Sequence, residues 1–469
     1  MSDSKIVDVS QLIDDQPIRA FHIKLVMLVF LIMVSDGYDL QAIGFAAPGI
    51  VKLLHIDRSM LGPVFSASLV GMLFGAPLFG WIGDRFGRRP AILCGIGIFG
   101  VVSLLTAAAQ NRPELLVLRF LTGIGLGGVP ANSVALVAEY APKRIRATMI
   151  VMAQIGLTFG SMLPALASGT LEAAYGWRPL FIIGGIAPLV IGVLVLVALP
   201  ESLKFLVVNK RPANKVWRAA RALDRSVPAE AGLTLVVPGT RISGAQRFHI
   251  KQLFADGLGR ITPIIWLLYI TFLSANYFLH GWMPIVFRGE GLTITETAVA
   301  AAMFDVGGII GALVSSRLID KFGVATVVVL YIVACPAVGL IGIIGNSVYL
   351  LSAAIFVAGF CLVGITLSMS AVTGVIYPTE IRAKGIGWAY GLGRFASILS
   401  PVIGGWLIGM KLPISELFLV PVVPIIVGAV ACYALMKLCI RRFNGISFNR
   451  DENSKTELVA AASTASEPI

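Results

Sequence analysis

Long apolar stretches alternate with short polar segments along almost the whole chain. Runs of mostly apolar residues recur twelve times, at about 24–49, 60–82, 90–109, 114–138, 147–170, 179–199, 262–287, 297–319, 324–345, 348–376, 385–408 and 416–437. A helix crossing a bilayer needs roughly 20 such residues, so the pattern predicts twelve membrane-spanning helices. Residues 1–20 are polar, carry four Asp and lack the basic start of a signal peptide. The first apolar run is also too long for a signal-peptide core, and is expected to belong to the mature protein.

Composition agrees with this pattern. Of 469 residues, 57% are hydrophobic and only 13% charged, against about 45–50% and 25% in soluble domains. That excludes a disordered chain, a nucleic-acid-binding domain and most soluble enzymes. The 50 glycines suit helices that approach closely in a membrane. The five cysteines lie in apolar runs with no CxxC spacing and no clustered His, so neither a metal site nor a cofactor is expected.

A net charge of +12 could by itself suggest nucleic acid, but the bases are sorted by loop. With Arg317 at the end of span 8 counted, the loops after even-numbered spans hold 21 Lys and Arg, those after odd-numbered spans 6. By the positive-inside rule the even loops and both termini are cytoplasmic. The longest loop, 200–261, has eleven bases against four acids and is expected to be solvated and to touch anionic lipid. No nucleic-acid partner is expected.

The two halves of the chain repeat. At one constant offset of 236, Gly71, Gly75, Ala76, Asp84, Phe86 and Gly87 fall on Gly307, Gly311, Ala312, Asp320, Phe322 and Gly323, and Ile145, Arg146 and Ala147 on Ile381, Arg382 and Ala383. Six spans, a basic linker and six related spans describe a transporter built from parallel repeats. The expected organisation is a tail over 1–20, a bundle over 21–199, the linker over 200–261, a second bundle over 262–440 and a tail over 441–469.

The loop between spans 2 and 3 reads Gly80-Trp-Ile-Gly-Asp84-Arg85-Phe-Gly87-Arg88-Arg89. It resembles the GxxxDRxGRR signature of the major facilitator superfamily. Arg119-xxx-Gly123-x-Gly125 in span 4 is similar to that superfamily's pattern as well. The resemblance implies an all-α fold of twelve transmembrane helices in two six-helix bundles. It also implies a gate at the cytoplasmic ends, formed by Gly80, Asp84, Arg85, Gly87, Arg88 and Arg89 with Glu139, Arg146, Asp320, Glu380 and Arg382; a topology signal without gating is the other reading. Ser161 follows Gly160 where antiporters of the superfamily carry Pro, which speaks against drug efflux.

Few charges remain at membrane depth. Asp36 and Asp39 sit three residues apart in span 1, on one helix face. A charge there costs at least ~2.5 kcal/mol, and mutual repulsion favours a proton on one of the two. Asp36-Gly37-Tyr38-Asp39 matches the DGxD signature of the aromatic acid:proton symporter family, and the resemblance extends over essentially the whole chain. A pair neutralised by a neighbouring arginine is the alternative. Arg394 in span 11 can hold a carboxylate bidentately, with Trp388 and Tyr390 near it to stack on a ring; a permanent bridge to Asp305 is the competing account. Arg119 is a second carboxylate candidate, or else serves helix packing. Asp305 joins the proton-coupling set, and His280, Asn276 and Tyr277 are candidates for a pocket wall, although a satisfied polar His is equally consistent.

These features lead to one expectation: an inner (plasma) membrane symporter, multi-pass, that imports a small aromatic carboxylate with protons by alternating access and serves aromatic catabolism. Alternatives are a proton symporter for another organic anion, such as a sugar acid or dicarboxylate, an exporter, and a non-transporting receptor. No nucleophile–base set points to an enzyme.

Overall fold

The computed structural model describes residues 5–223, 233–236, 250–255, 257–344, 347–378, 381–410 and 412–443. Among the described residues, twelve helices are long and apolar enough to cross a membrane. They are α1 Ala20–Leu54, α2 Leu61–Phe86, α3 Arg88–Ala107, α4 Arg112–Tyr140, α5 Arg146–Ala167, α6 Arg178–Ala198, α7 Ile261–Gly289, α8 Ile294–Phe322, α9 Val324–Ile341, α10 Val348–Ile376, α11 Arg382–Gly409 and α12 Val422–Phe443.

Local chemistry sets several boundaries. Asn111 caps α4 by accepting from the Glu114 N–H at 3.0 Å, with Pro113 in the first turn. Thr293 and Glu296 satisfy each other's backbone N–H groups at the start of α8. The α2–α3 and α8–α9 junctions turn at Gly87 (φ 119°) and Gly323 (φ 57°), where a side chain would be strained.

The sequence repeat is also a repeat of packing. In the first half, Gly71, Gly75 and Gly123 bring α2 and α4 so close that a Cβ would strike the carbonyls of Phe120, Ile124 and Ser68. In the second, Gly307, Gly311 and Gly359 press α8 and α10 against the carbonyls of Phe356, Phe360 and Phe304. Every member of the second set lies 236 residues after its counterpart. The side chain of Arg146 donates to the Ala141 carbonyl at 3.2 Å and Arg382 to the Tyr377 carbonyl at 3.4 Å, again in register.

The two six-helix bundles meet through α1–α7, α2–α11 and α5–α8. The contact is strongest at the far end, away from the linker. Gly62 packs on the Pro401 carbonyl and Gly405 on the Ser59 carbonyl, the Ser66 hydroxyl donates to the Ile398 carbonyl at 2.5 Å, and Phe65 meets Trp282 edge-on at 5.4 Å. Five turns along the same stripes toward the linker end, a Cβ on Gly80 of α2 or Gly387 of α11 would have no neighbour within 4 Å. The halves are therefore closed at the far end and parted at the linker end.

A small non-helical element lies outside the bundles. Strand β1, Lys5–Asp8, pairs in parallel with β2, Leu233–Val236, in the linker, and a short helix Val9–Asp14 packs on another, Leu203–Val208, just after α6.

Candidate functional site

Both span-1 carboxylates are buried, but α1 presents them to different surroundings. Asp39 Oδ2 lies 2.7 Å from Arg119 Nη2 of α4, with both side chains sealed from solvent, and its Oδ1 accepts from the Ser103 hydroxyl of α3 at 3.0 Å. Arg119 also lies over the Phe181 ring at 5.2 Å. Asp36 has no such cage: its Oδ1 is without a hydrogen-bond partner. Between the two, Gly37 lets α1 press on α5, where a Cβ would collide with the Leu157 carbonyl.

Arg119 pairs with Asp39 inside the first bundle through Nη2, while its Nε and Nη1 are buried without a hydrogen-bond partner among the described residues, so in this conformation Asp39 has a counter-ion and Arg119 keeps two free donors. The alternative of an arginine-neutralised acid describes Asp39, and leaves Asp36 apart from it.

Arg394 lies midway along α11, across the junction between halves, and within electrostatic reach of Asp36. Its polar contact is a long one, from Nη1 to the Met72 sulfur at 3.7 Å. Among the described residues it makes no ion pair. Asp305 does not bridge to Arg394; it accepts instead from the Ser161 hydroxyl at 2.7 Å, an α5–α8 contact between the halves. Sequence reasoning noted Ser161 only as a departure from the antiporter pattern and did not foresee this bond.

The remaining pocket candidates divide. The Nδ1 of His280 is 2.7 Å from Gln41 Nε2 of α1, and its ring meets Phe304 edge-on at 4.7 Å; it ties α7 to α1 as a satisfied polar group. Asn276 is half-buried with an unpartnered Oδ1, and Tyr277 is half-buried beside it. Tyr390 is half-buried, edge-on to Tyr269 at 4.9 Å. Trp388 departs from expectation. Two residues from Tyr390, it points about 200° around the helix, stacks on Trp266 at 6.2 Å and is 43% exposed, away from Arg394.

At the linker end, the gate candidates form a network within the first half. Arg88 bonds Asp84 at 2.6 Å and Glu139 at 3.4 Å. Arg85 stacks on Trp81 and Phe86, and the Arg89 guanidinium donates to the Leu196 carbonyl. Glu201, three residues after α6, caps α3. Its carboxylate accepts from the N–H groups of Arg88 at 2.9 Å, Arg89 at 3.3 Å and Ser202 at 2.8 Å. Burial raises this carboxyl above its ordinary value, against the pull of those N–H groups. Arg146 does not pair with Glu139; beyond the Ala141 carbonyl it lies 3.7 Å from Asp14. Asp320 is exposed at the end of α8 and makes no ion pair among the described residues. Glu380 lies outside the described residues.

Comparison with known proteins settles the family. The Major Facilitator Superfamily model matches residues 29–341 and 265–454. The chain belongs to the major facilitator superfamily. It is 34% identical to the 4-hydroxybenzoate transporter PcaK of Pseudomonas putida over 90% of this chain and 94% of that protein. It is also 34% identical to a gallate transporter of Pseudomonas putida, over 91% and 95%, and 30% identical to the benzoate transport protein of Acinetobacter baylyi, over 92% and 93%. The fold resembles a crystal structure of a D-xylose-proton symporter, with a TM-score of 0.68 at 19% identity over 89% of this chain and 98% of that one. As a member of this superfamily with twelve spans, the protein is a multi-pass membrane transporter and not an enzyme.

Proposed function

We propose that this transporter is a proton-coupled symporter that imports an aromatic carboxylic acid, of the hydroxybenzoate or protocatechuate class, across the cytoplasmic (inner) membrane. The observation that carries the reading is the unmatched pair at mid-membrane: a buried acid, Asp36, with an unpartnered oxygen, and a guanidinium, Arg394, held by no acid among the described residues, on facing halves. Such a pair invites a third party. A substrate carboxylate satisfies Arg394 through a bidentate bond, and a proton on Asp36 removes the charge that would otherwise repel that carboxylate. The relatives named for 4-hydroxybenzoate, gallate and benzoate support an aromatic cargo.

In this reading the linker end is cytoplasmic, as the loop charges indicate, and the conformation seen is open to the inside. Asp36 is the proton carrier; Asp305, held by Ser161 across the halves, reports protonation to the α5–α8 contact; Asp39 with Arg119 fixes the position of α1. Substrate and proton enter when the far end parts and leave when the linker end does. The Asp84–Arg88–Glu139 network belongs to the inner gate, and the basic linker faces anionic lipid.

The test is uptake of a labelled hydroxybenzoate into proteoliposomes. Accumulation under an inward proton gradient, abolished by a protonophore and by Arg394→Gln, is the expected result. Uptake indifferent to the gradient, or intact in the Arg394 variant, overturns the reading.

A further inference from the structure

Next to Arg394 the structure gathers four hydroxyl groups from three helices. Tyr390, one turn before Arg394 on α11, has its hydroxyl 3.4 Å from that of Ser370 on α10. Its ring meets Tyr269 of α7 edge-on at 4.9 Å, and the Tyr269 hydroxyl lies 3.4 Å from that of Thr373. The inner pair, Tyr269 and Thr373, is buried, whereas Ser370, Tyr390 and Arg394 are half-buried. Both Tyr–Ser and Tyr–Thr contacts are long for O–H···O bonds, so the cluster is loosely joined.

The space beside this cluster is open. Gly374, one turn from Ser370 on α10, and Gly391, adjacent to Tyr390, are each half-buried, yet a Cβ on either would find no atom within 4 Å. Each of these glycines therefore has open space beside it, one turn from Ser370 on α10 and next to Tyr390 on α11. Arg394 and Tyr390, one turn apart on α11, thus set a cation and the hydroxyls about 6 Å apart along the helix axis, with open space beside Gly391 between them.

We propose that the Tyr390–Ser370 hydroxyls, backed by Tyr269 and Thr373, are a second polar anchor that reads a ring hydroxyl on the cargo. This rests on the reading that Arg394 takes the carboxylate. A hydroxyl para or meta to the carboxylate spans from Arg394 to the anchor; an ortho hydroxyl stays beside the carboxylate and gains nothing from it. Each hydroxyl can donate and accept, so a phenol can insert between Tyr390 and Ser370 as donor to one and acceptor from the other. A site built this way discriminates against the analogue lacking the group. A cargo held at both anchors is bound with its hydroxyl toward the linker end.

Competition against one labelled acid in proteoliposomes reads this directly, using benzoate and its 2-, 3- and 4-hydroxy derivatives. The wild-type protein is expected to favour the 3- or 4-hydroxy acid over benzoate by about tenfold, and to give the 2-hydroxy acid no such advantage. Tyr390→Phe and Ser370→Ala are each expected to weaken the hydroxy acid several-fold more than benzoate, narrowing that ratio. Equal competition by benzoate and the hydroxy acids, or variants that weaken all of them alike, overturns the anchor while leaving the carboxylate site standing. Failure of every benzoate to compete overturns both. Ligand-induced melting shifts of purified wild-type protein with the same four acids give the ratio without a variant.

Discussion

Asp39 and Arg119 are joined at 2.7 Å with neither side chain open to solvent, while Asp36, on the same helix and three residues earlier, keeps an oxygen without a partner. One motif therefore holds two acids in different surroundings. Breaking a buried pair by removing one partner costs about 3–5 kcal/mol, because the other charge is left uncompensated. Arg119→Gln and Asp39→Asn are each expected to lower thermal stability by that order, and the double variant to recover part of the loss. A thermal-shift double-mutant cycle checks this; additive losses would show that the pair is not coupled.

Asp36 should behave in the opposite way. No hydrogen bond to Oδ1 is lost when Asp36 becomes an amide, and a buried charge is removed, so Asp36→Asn is expected to melt at or above the wild-type temperature. Proton-driven accumulation should fall at least tenfold, while exchange of labelled for unlabelled substrate, which needs no net proton movement, persists. Comparing uphill uptake with counterflow in the same proteoliposomes separates the two. Loss of both would place Asp36 in substrate binding instead of coupling.

The α2–α11 seam offers a paired test of alternation. Gly62 is in contact with the Pro401 carbonyl at the closed end, whereas Gly80, five turns on, has open space. Gly62→Val cannot keep the far end closed and is expected to hold the transporter open to the outside. Gly80→Val fits the observed state and is expected to fold normally, but to block approach of α2 to Gly387 when the inner end closes. Thiol labelling of single cysteines placed at each end should shift in opposite directions. If both variants shift the same way, the seam does not alternate.

Much of this was legible in the chain. The twelve helices follow from apolar runs because lipid permits little else, and the constant offset between Gly71 and Gly307 marks the repeat that their packing shares. Charge at depth led to Asp36, Asp39, Arg119, Asp305 and Arg394. What the sequence did not reveal was who faces whom. Spacing puts Asp36 and Asp39 on one face, but only the approach of α4 and α3 gives Asp39 its arginine and serine. Trp388 and Tyr390 look equivalent as neighbours in sequence and are separated by helix rotation. The Ser161–Asp305 bond and the Glu201 cap join residues more than a hundred positions apart, beyond any local pattern.

The amino-terminal tail supplies the last prediction. Asp14 accepts from the Lys143 N–H at 3.0 Å and pairs with the Lys143 ammonium at 2.9 Å and Arg146 at 3.7 Å, while Arg144 donates to the Gln16 carbonyl at 2.9 Å. The tail thereby docks on the α4–α5 loop, beside the gate candidates Glu139 and Arg146. Partial burial would raise the Asp14 carboxyl, but the bonds to Lys143, with Arg146 adding, hold it below its ordinary value. For a carboxylate held down in this way the docking is at full strength above the ordinary value near 3.8 and weakens as pH falls through the lower, docked value. An exposed pair of this kind is worth no more than about 1 kcal/mol, so the tail should stay attached across neutral pH and release only in strong acid. Asp14→Asn should mimic that release at pH 7, raising proteolysis within residues 5–16 several-fold and speeding closure of the inner gate. Hydrogen exchange of the tail in wild-type protein should rise only below about pH 4. A tail equally protected in both proteins at pH 7 would mean that Asp14 does not hold it.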